Sequence, residues 1–168
     1  ISKIDFPISG LVSFKELADK MGKRAKTTVV TFSRDRVNDF LREHLQAVDG
    51  EEVWSVARVR EIDGEKIILD KDFLRVDLVP ALTKKDCEES IYAHIEEELG
   101  LVVSFAKKEI TVEEPTEEDM ELLDLEGYSN VVVVKSHVYL DDAKLFQYTE
   151  SRHRPDKFRF VDFARRAK

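Results

Sequence analysis

The sequence predicts an α+β fold over residues 1–168: a mostly antiparallel sheet of about six strands with helices packed on it, all in a single domain. Three observations predict it. Six longer segments and a short last one have the β-branched or alternating texture of strands. Two of them, Val53 to Ile62 and Lys66 to Leu74, meet at Asp63-Gly64, a dipeptide suited to a two-residue hairpin turn. The helical segments fall irregularly among the strands, so the strict alternation of a doubly wound parallel sheet is missing. A length of 168 residues with 42% hydrophobic content allows one proper core and excludes a disordered chain.

Taken in order, Pro7 and Gly10 mark a non-regular lead-in. Ser13 to Met21 reads as a helix ended by Gly22. Its first residues, Ser13-Phe14-Lys15-Glu16, have the capping-box pattern, in which Ser13 accepts from a backbone N–H and Glu16 reaches back. Thr27 to Ser33 is β-branched and strand-like, and Val37 to Leu45 reads as a short helix. After the Asp63-Gly64 hairpin, Leu78 to Leu82 forms a turn around Pro80. Ser90 to Leu99 is a helix closed by Gly100. Val102 to Val112 is a long strand. Thr116 to Leu125 is a helix with Thr116 as cap and Glu117, Glu118 and Asp119 at its positive end. Asn130 to Leu140 and Leu145 to Arg152 are strands joined at Asp141-Asp142, and Phe158 to Phe163 is a last short strand. The helices are expected to cover one side of the sheet.

The net charge is −8, the wrong sign for a free-standing nucleic-acid binder or a ligand of anionic membranes. Apolar runs such as Val131 to Val134 are too short to span a bilayer, and Ile1 to Gly10 lacks a signal-peptide pattern. Cys87, the single cysteine, excludes an internal disulfide and is expected as an unreactive helix-surface thiol. These features together fit a cytoplasmic protein. The chain begins without Met, at Ile1-Ser2-Lys3, and reads as a piece cut from a longer protein.

Arg58 and Arg60 are the most informative pair. Alternate strand residues share a face, and this one also carries Trp54, Val56 and Ile62. Two guanidiniums on a partly apolar face need an anion, and the arginine fork suits phosphate. Salt bridging with the acidic excess is the competing reading, and from spacing alone the commoner one. Ser13, Phe14 and Lys15 at a helix start, and Ser90 and Tyr92 at another, offer N–H groups, hydroxyls and one cation. Taken alone, each reads more readily as an ordinary cap. His44, His94, His137 and His153 show no paired-ligand spacing, so no metal site is expected. No P-loop, dinucleotide glycine pattern or G-x-S-x-G elbow occurs. The acidic runs Glu96-Glu97-Glu98 and Glu117-Glu118-Asp119 read as solvated helix faces.

Several of these segments carry a family resemblance. Gly10-Leu11-Val12-Ser13-Phe14-Lys15-Glu16 resembles the opening of the UTRA effector domain of HutC-type GntR-family repressors. Arg58-Val59-Arg60 before Asp63-Gly64 resembles that family's R-x-R hairpin. Ser90-Ile91-Tyr92 with Glu98-Leu99-Gly100, and Asp156-Lys157-Phe158-Arg159-Phe160, resemble its later segments in the same order. Four stretches are similar to the family's trehalose-operon branch: residues 6–18, Ser104 to Ile110, Val131 to Asp142 and Leu145 to Arg154.

The resemblance implies a chorismate-lyase-like fold, a homodimer, and operator DNA bound only through an N-terminal winged helix-turn-helix absent from this chain. It implies trehalose 6-phosphate as effector, with no cofactor and no catalytic residue. The phosphate would meet Ser13, Phe14, Lys15, Arg58, Arg60, Ser90 and Tyr92, and the sugar Asp70, Gln147 and His153. Amino-sugar-phosphate members tend to have Glu in place of Asp70 and Gln147, and Tyr in place of His153. These departures argue against an amino sugar. A sensor of another sugar phosphate or of an organic acid, and a small lyase-like enzyme, are the alternative readings.

Overall fold

The computed structural model describes residues 4–6, 24–160 and 166. The helix expected over Ser13 to Met21 lies outside the described residues. Strand β1 (Ile4–Phe6) pairs in parallel with the last strand, β8 (Phe158–Phe160). The sequence reading had no strand at Ile4–Phe6, because three residues carry too little pattern to distinguish. Residues 161–163 of the expected last strand also lie outside the description.

The main sheet has six strands in the order β2-β3-β4-β7-β6-β5, every pairing antiparallel. These are β2 (Ala25–Arg36), β3 (Glu52–Ile62), β4 (Glu65–Arg75), β5 (Val103–Glu113), β6 (Val131–Leu140) and β7 (Leu145–His153). The expected sheet is therefore present. Asp63 and Gly64 take φ of 51° and 83°, the left-handed pair that a tight two-residue hairpin turn requires.

Among the described residues, four short α-helices link the strands. Helix α1 (Asp39–Leu45) starts two residues later than expected, because the Asn38 side chain caps it, accepting from the Leu41 N–H at 2.8 Å. Helix α2 (Lys84–Glu89) was not anticipated: its charged sequence buries Cys87 alone, so it shows no apolar stripe. Its readable signal was the Thr83…Asp86 capping box. Ser90 ends α2 and starts α3 (Ile91–Ala93), which runs on as a π-helical turn over His94–Glu98. Helix α4 (Glu117–Leu122) has the expected Thr116 cap but stops three residues short of Leu125.

Helices cover both faces of the sheet, not one. On one face, α2, α3 and the turn before them lay Val79, Leu82, Cys87, Ile91 and Ile95 against Trp54, Val56, Leu74 and Val138. On the other, Leu41 and Leu45 of α1 pack on Val53, Leu145 and Tyr148. Leu123, just after α4, packs there on Ala57, Val59 and Leu69. Cover on both sides leaves β3 buried along nearly its whole length, Arg58 and Arg60 included. Cys87 is buried in the first layer, which corrects the surface expectation, and burial pushes its thiol up to about 12. Asp119 is buried too, contrary to the solvated face expected: both its oxygens accept from Arg152 Nε, at 2.9 and 3.0 Å.

Candidate functional site

The face of the sheet beneath α2 and α3 becomes polar beyond Trp54 and Val56. Antiparallel register sets its residues in rows across the strands. One row runs Arg58, Asp70, Ser151, Val134. The next runs Val56, Asp72, Thr149, Ser136, Lys108. Flanking rows add Arg60, Ile68 and His153 on one side, and Trp54, Leu74 and Gln147 on the other.

Diagonal ion pairs bind the rows together. Arg58 Nη2 donates to Asp72 at 2.7 Å, and Arg60 Nε donates to Asp70 at 2.8 Å. The salt-bridged arrangement left open by the sequence is thus realised. Arg58 also reaches the Cys87 carbonyl of α2 at 3.4 Å, and Arg60 donates to Thr27 Oγ1 at 2.9 Å. Gln147 Nε2 donates to the second Asp72 oxygen at 3.0 Å. Ser151 Oγ donates to Asp70 at 2.5 Å, so His153 Nε2, 2.8 Å from that hydroxyl, supplies the proton there. Among the described residues, buried Arg58 Nε and Gln147 Oε1 have no hydrogen-bond partner.

Burial and mutual repulsion shape the charges. Burial first, and Arg58 second, bring the Arg60 guanidinium down to about 10, despite Asp70. Burial is the largest single influence on Arg58 too, but the charges of Asp72 and Asp70 and the hydrogen bond to Asp72 together outweigh it and hold its pKa above the usual value. Burial opposes ionisation of Asp70, and Arg60 and Arg58 overcome it, leaving that carboxyl below its usual range. His153 is pushed down to about 4 by burial and is neutral at pH 7. The described residues of the face therefore carry Arg58, Arg60 and Lys108 against Asp70 and Asp72, a positive excess in an acidic chain.

Of the residues expected from sequence, the structure brings Arg58, Arg60, Asp70, Gln147 and His153 together on this face. Tyr92 lies half-buried beside them, and burial, then Asp72, push its hydroxyl up. Ser90 serves as a helix cap, its Oγ accepting from the Ala93 N–H at 3.2 Å. Ser13, Phe14 and Lys15 lie outside the described residues. Sequence reasoning missed Asp72, Ser151 and Lys108. The usable signal for the first two was their two-residue spacing from Asp70 and His153.

Elsewhere, Asp86, His94 and Glu98 gather ligand-type atoms within 4.8 Å of one another. His94 Nδ1 meets Glu98 at 2.8 Å, its Nε2 faces the Pro80 carbonyl at 3.2 Å, and Asp86 caps Thr83. Each member is thus already engaged in a clasp between α2 and the π-helical turn.

Comparisons with known proteins identify the family and the fold. The UTRA domain family model matches residues 20–159, and the chain belongs to that family. It is 57% identical over 166 residues to the HTH-type transcriptional regulator TreR of Bacillus subtilis, covering 99% of this chain and 70% of that one. The solved effector-binding domain of the B. subtilis trehalose repressor superposes with a TM-score of 0.79 at 56% identity, covering 85% of this chain and 99% of that one. A mannosyl-D-glycerate system repressor of Escherichia coli, MngR, is 29% identical over 98% of this chain and 68% of its own length. No helix among the described residues is long and apolar enough to cross a membrane.

Proposed function

We propose that this chain is the effector-binding domain of a repressor of trehalose uptake and use, and that its ligand is trehalose 6-phosphate. The observation that carries the reading is the polar face itself. Three cations stand against two carboxylates there, and Arg60 is left with its charge disfavoured by burial and by Arg58. An anion docking beside Arg60 offsets both effects. Phosphate suits the arginine fork, and the remaining N–H groups of Arg58 stay available beyond those given to Asp72 and Cys87. The likeness to TreR supports the trehalose assignment.

In this reading Ser13, Phe14, Lys15, Arg58, Arg60, Ser90 and Tyr92 hold the phosphate. Asp70, Gln147 and His153 meet the sugar. The domain has no catalytic job, assembles as a homodimer in the cytoplasm, and reaches operator DNA through a winged helix-turn-helix of the whole regulator. Ligand closing around Ser90 and Arg58 shifts the leading segment and respaces the two DNA readers. That coupling requires the ligand to prefer one conformation. A thermal-shift comparison tests the ligand: trehalose 6-phosphate raises the melting temperature, and free trehalose at equal concentration does so much less. Equal shifts would remove the phosphate from the mechanism.

A further inference from the structure

Lys108 stands apart from the other charges of the face. It projects from β5, an edge strand, onto the same side as Arg58 and Asp72, and it is half-buried. Its ammonium donates to Ser136 Oγ at 3.1 Å. No carboxylate of the described residues lies within ion-pair distance of it, whereas Arg58 and Arg60 each have one. Burial lowers its pKa, with the more distant Asp70 acting in the opposite sense. A desolvated ammonium with one neutral neighbour has two N–H donors left over.

The register says where those donors sit. Asp72 holds the Arg58 guanidinium over β4, and Ser136 holds the Lys108 ammonium over β6. Strand β7 lies between, carrying Thr149 in the same row as Asp72, Ser136 and Lys108. Two strand spacings, about 10 Å, therefore separate the two cationic groups. Hydrogen bonds of about 2.8 Å on either side of a single phosphate do not span that gap. A phosphate anchored at Arg58 and Arg60 leaves Lys108 to meet a different part of the ligand.

We infer that Lys108, positioned by Ser136, is a specificity-determining residue that donates hydrogen bonds to hydroxyl oxygens of the ligand's second sugar, the one remote from the phosphate. This rests on the sugar-phosphate reading of the same face and deepens it. The polar row from Asp72 to Lys108 makes the site a recogniser of two-sugar phosphates over one-sugar phosphates. Thr149 forms the floor between the two subsites.

The test is calorimetric titration of the chain and of Lys108→Met with two probes, trehalose 6-phosphate and glucose 6-phosphate. The parent binds the first more tightly. Lys108→Met weakens trehalose 6-phosphate about tenfold, as expected for a lost charged hydrogen bond, and leaves glucose 6-phosphate within about twofold. Ser136→Ala, which frees the ammonium without removing it, gives a smaller loss of the same preference. Equal weakening of both probes by Lys108→Met places the lysine on the phosphate and overturns the inference. Unchanged affinity for both overturns it as well, while leaving the sugar-phosphate reading intact. A parent chain that binds neither probe defeats that reading, and this inference with it. Among the described residues Lys108 has no ion pair to lose, so Lys108→Met melts within a few degrees of the parent.

Discussion

At the residue scale, the decisive feature is a buried charge network whose members depend on one another for their partners. Arg58→Ala leaves Asp72 buried with Gln147 as its one remaining partner among the described residues, and loss of one member of a buried pair costs about 3–5 kcal/mol. The double replacement Arg58→Met with Asp72→Leu removes both charges and costs less than Arg58→Ala alone. Urea denaturation of both variants checks this, and a double variant less stable than the single one contradicts it. His153 adds a pH dependence of definite sign. Its folded pKa of about 4 lies below the free value near 6.5. The unfolded chain therefore takes up a proton first as pH falls, and stability drops across the window from about 6.5 to 4. Between pH 7 and pH 5 the loss is about 2 kcal/mol, and His153→Gln loses that much less over the same interval. Identical pH profiles for the parent and His153→Gln would place the neutral imidazole elsewhere.

The arginine pair itself was legible in the sequence, since Arg-x-Arg on a strand puts both side chains on one face. Its carboxylate partners were not. Beside the Asp63-Gly64 turn, Ile62 faces Glu65 and Glu61 faces Lys66, a register that would set Arg58 opposite Leu69. One extra residue in β4, between Lys66 and Ile68, shifts the pairing so that Arg58 faces Asp70 and Arg60 faces Ile68. A one-residue slip exchanges the two faces of a strand. The bulge therefore brings Asp70 and Asp72 to the arginine side, and no local sequence signal announces it. Lys108 escaped notice for a related reason: its neighbours in the row come from β4, β6 and β7, and only long-range register joins them.

At the element scale, helices this short depend on their ends and on single tertiary anchors. In α4, Thr116 caps the Asp119 N–H at 3.0 Å, and Asp119 caps Thr116 in return while binding Arg152. Thr116→Ala removes one cap and costs about 1 kcal/mol. Asp119→Ala also strips buried Arg152 of its nearest carboxylate and costs about 3–5 kcal/mol. Equilibrium denaturation should rank the two in that order by a margin of at least about 2 kcal/mol; equal losses would mean that the Arg152 pair is not a stabilising anchor. The sequence reading found the Thr116 cap because capping is local. It misjudged Asp119 as solvated because its partner is 33 positions away on β7. It missed α2 because six mostly charged residues offer no period, although the Thr83 box marked the start. The hairpin and the six main strands were readable because their texture repeats over nine to twelve residues.

At the scale of the whole molecule, the fold class was legible and the layering was not. Predicting which faces are covered needs the strand order, and β7 inserted between β4 and β6 is set by pairings distant in sequence. That order matters for function. It places β4, with the carboxylates of both ion pairs, three strand positions from β5 and Lys108, and it sets Gln147, Ser151 and His153 of β7 at the centre of the face. The central claim is that this charged face receives a sugar phosphate. A crystal structure of the chain grown with trehalose 6-phosphate tests it most directly: the account predicts the phosphate within hydrogen-bond distance of the Arg58 and Arg60 guanidiniums and the sugar over β7, whereas a phosphate seated away from both arginines, or a face left empty at saturating ligand, would contradict it.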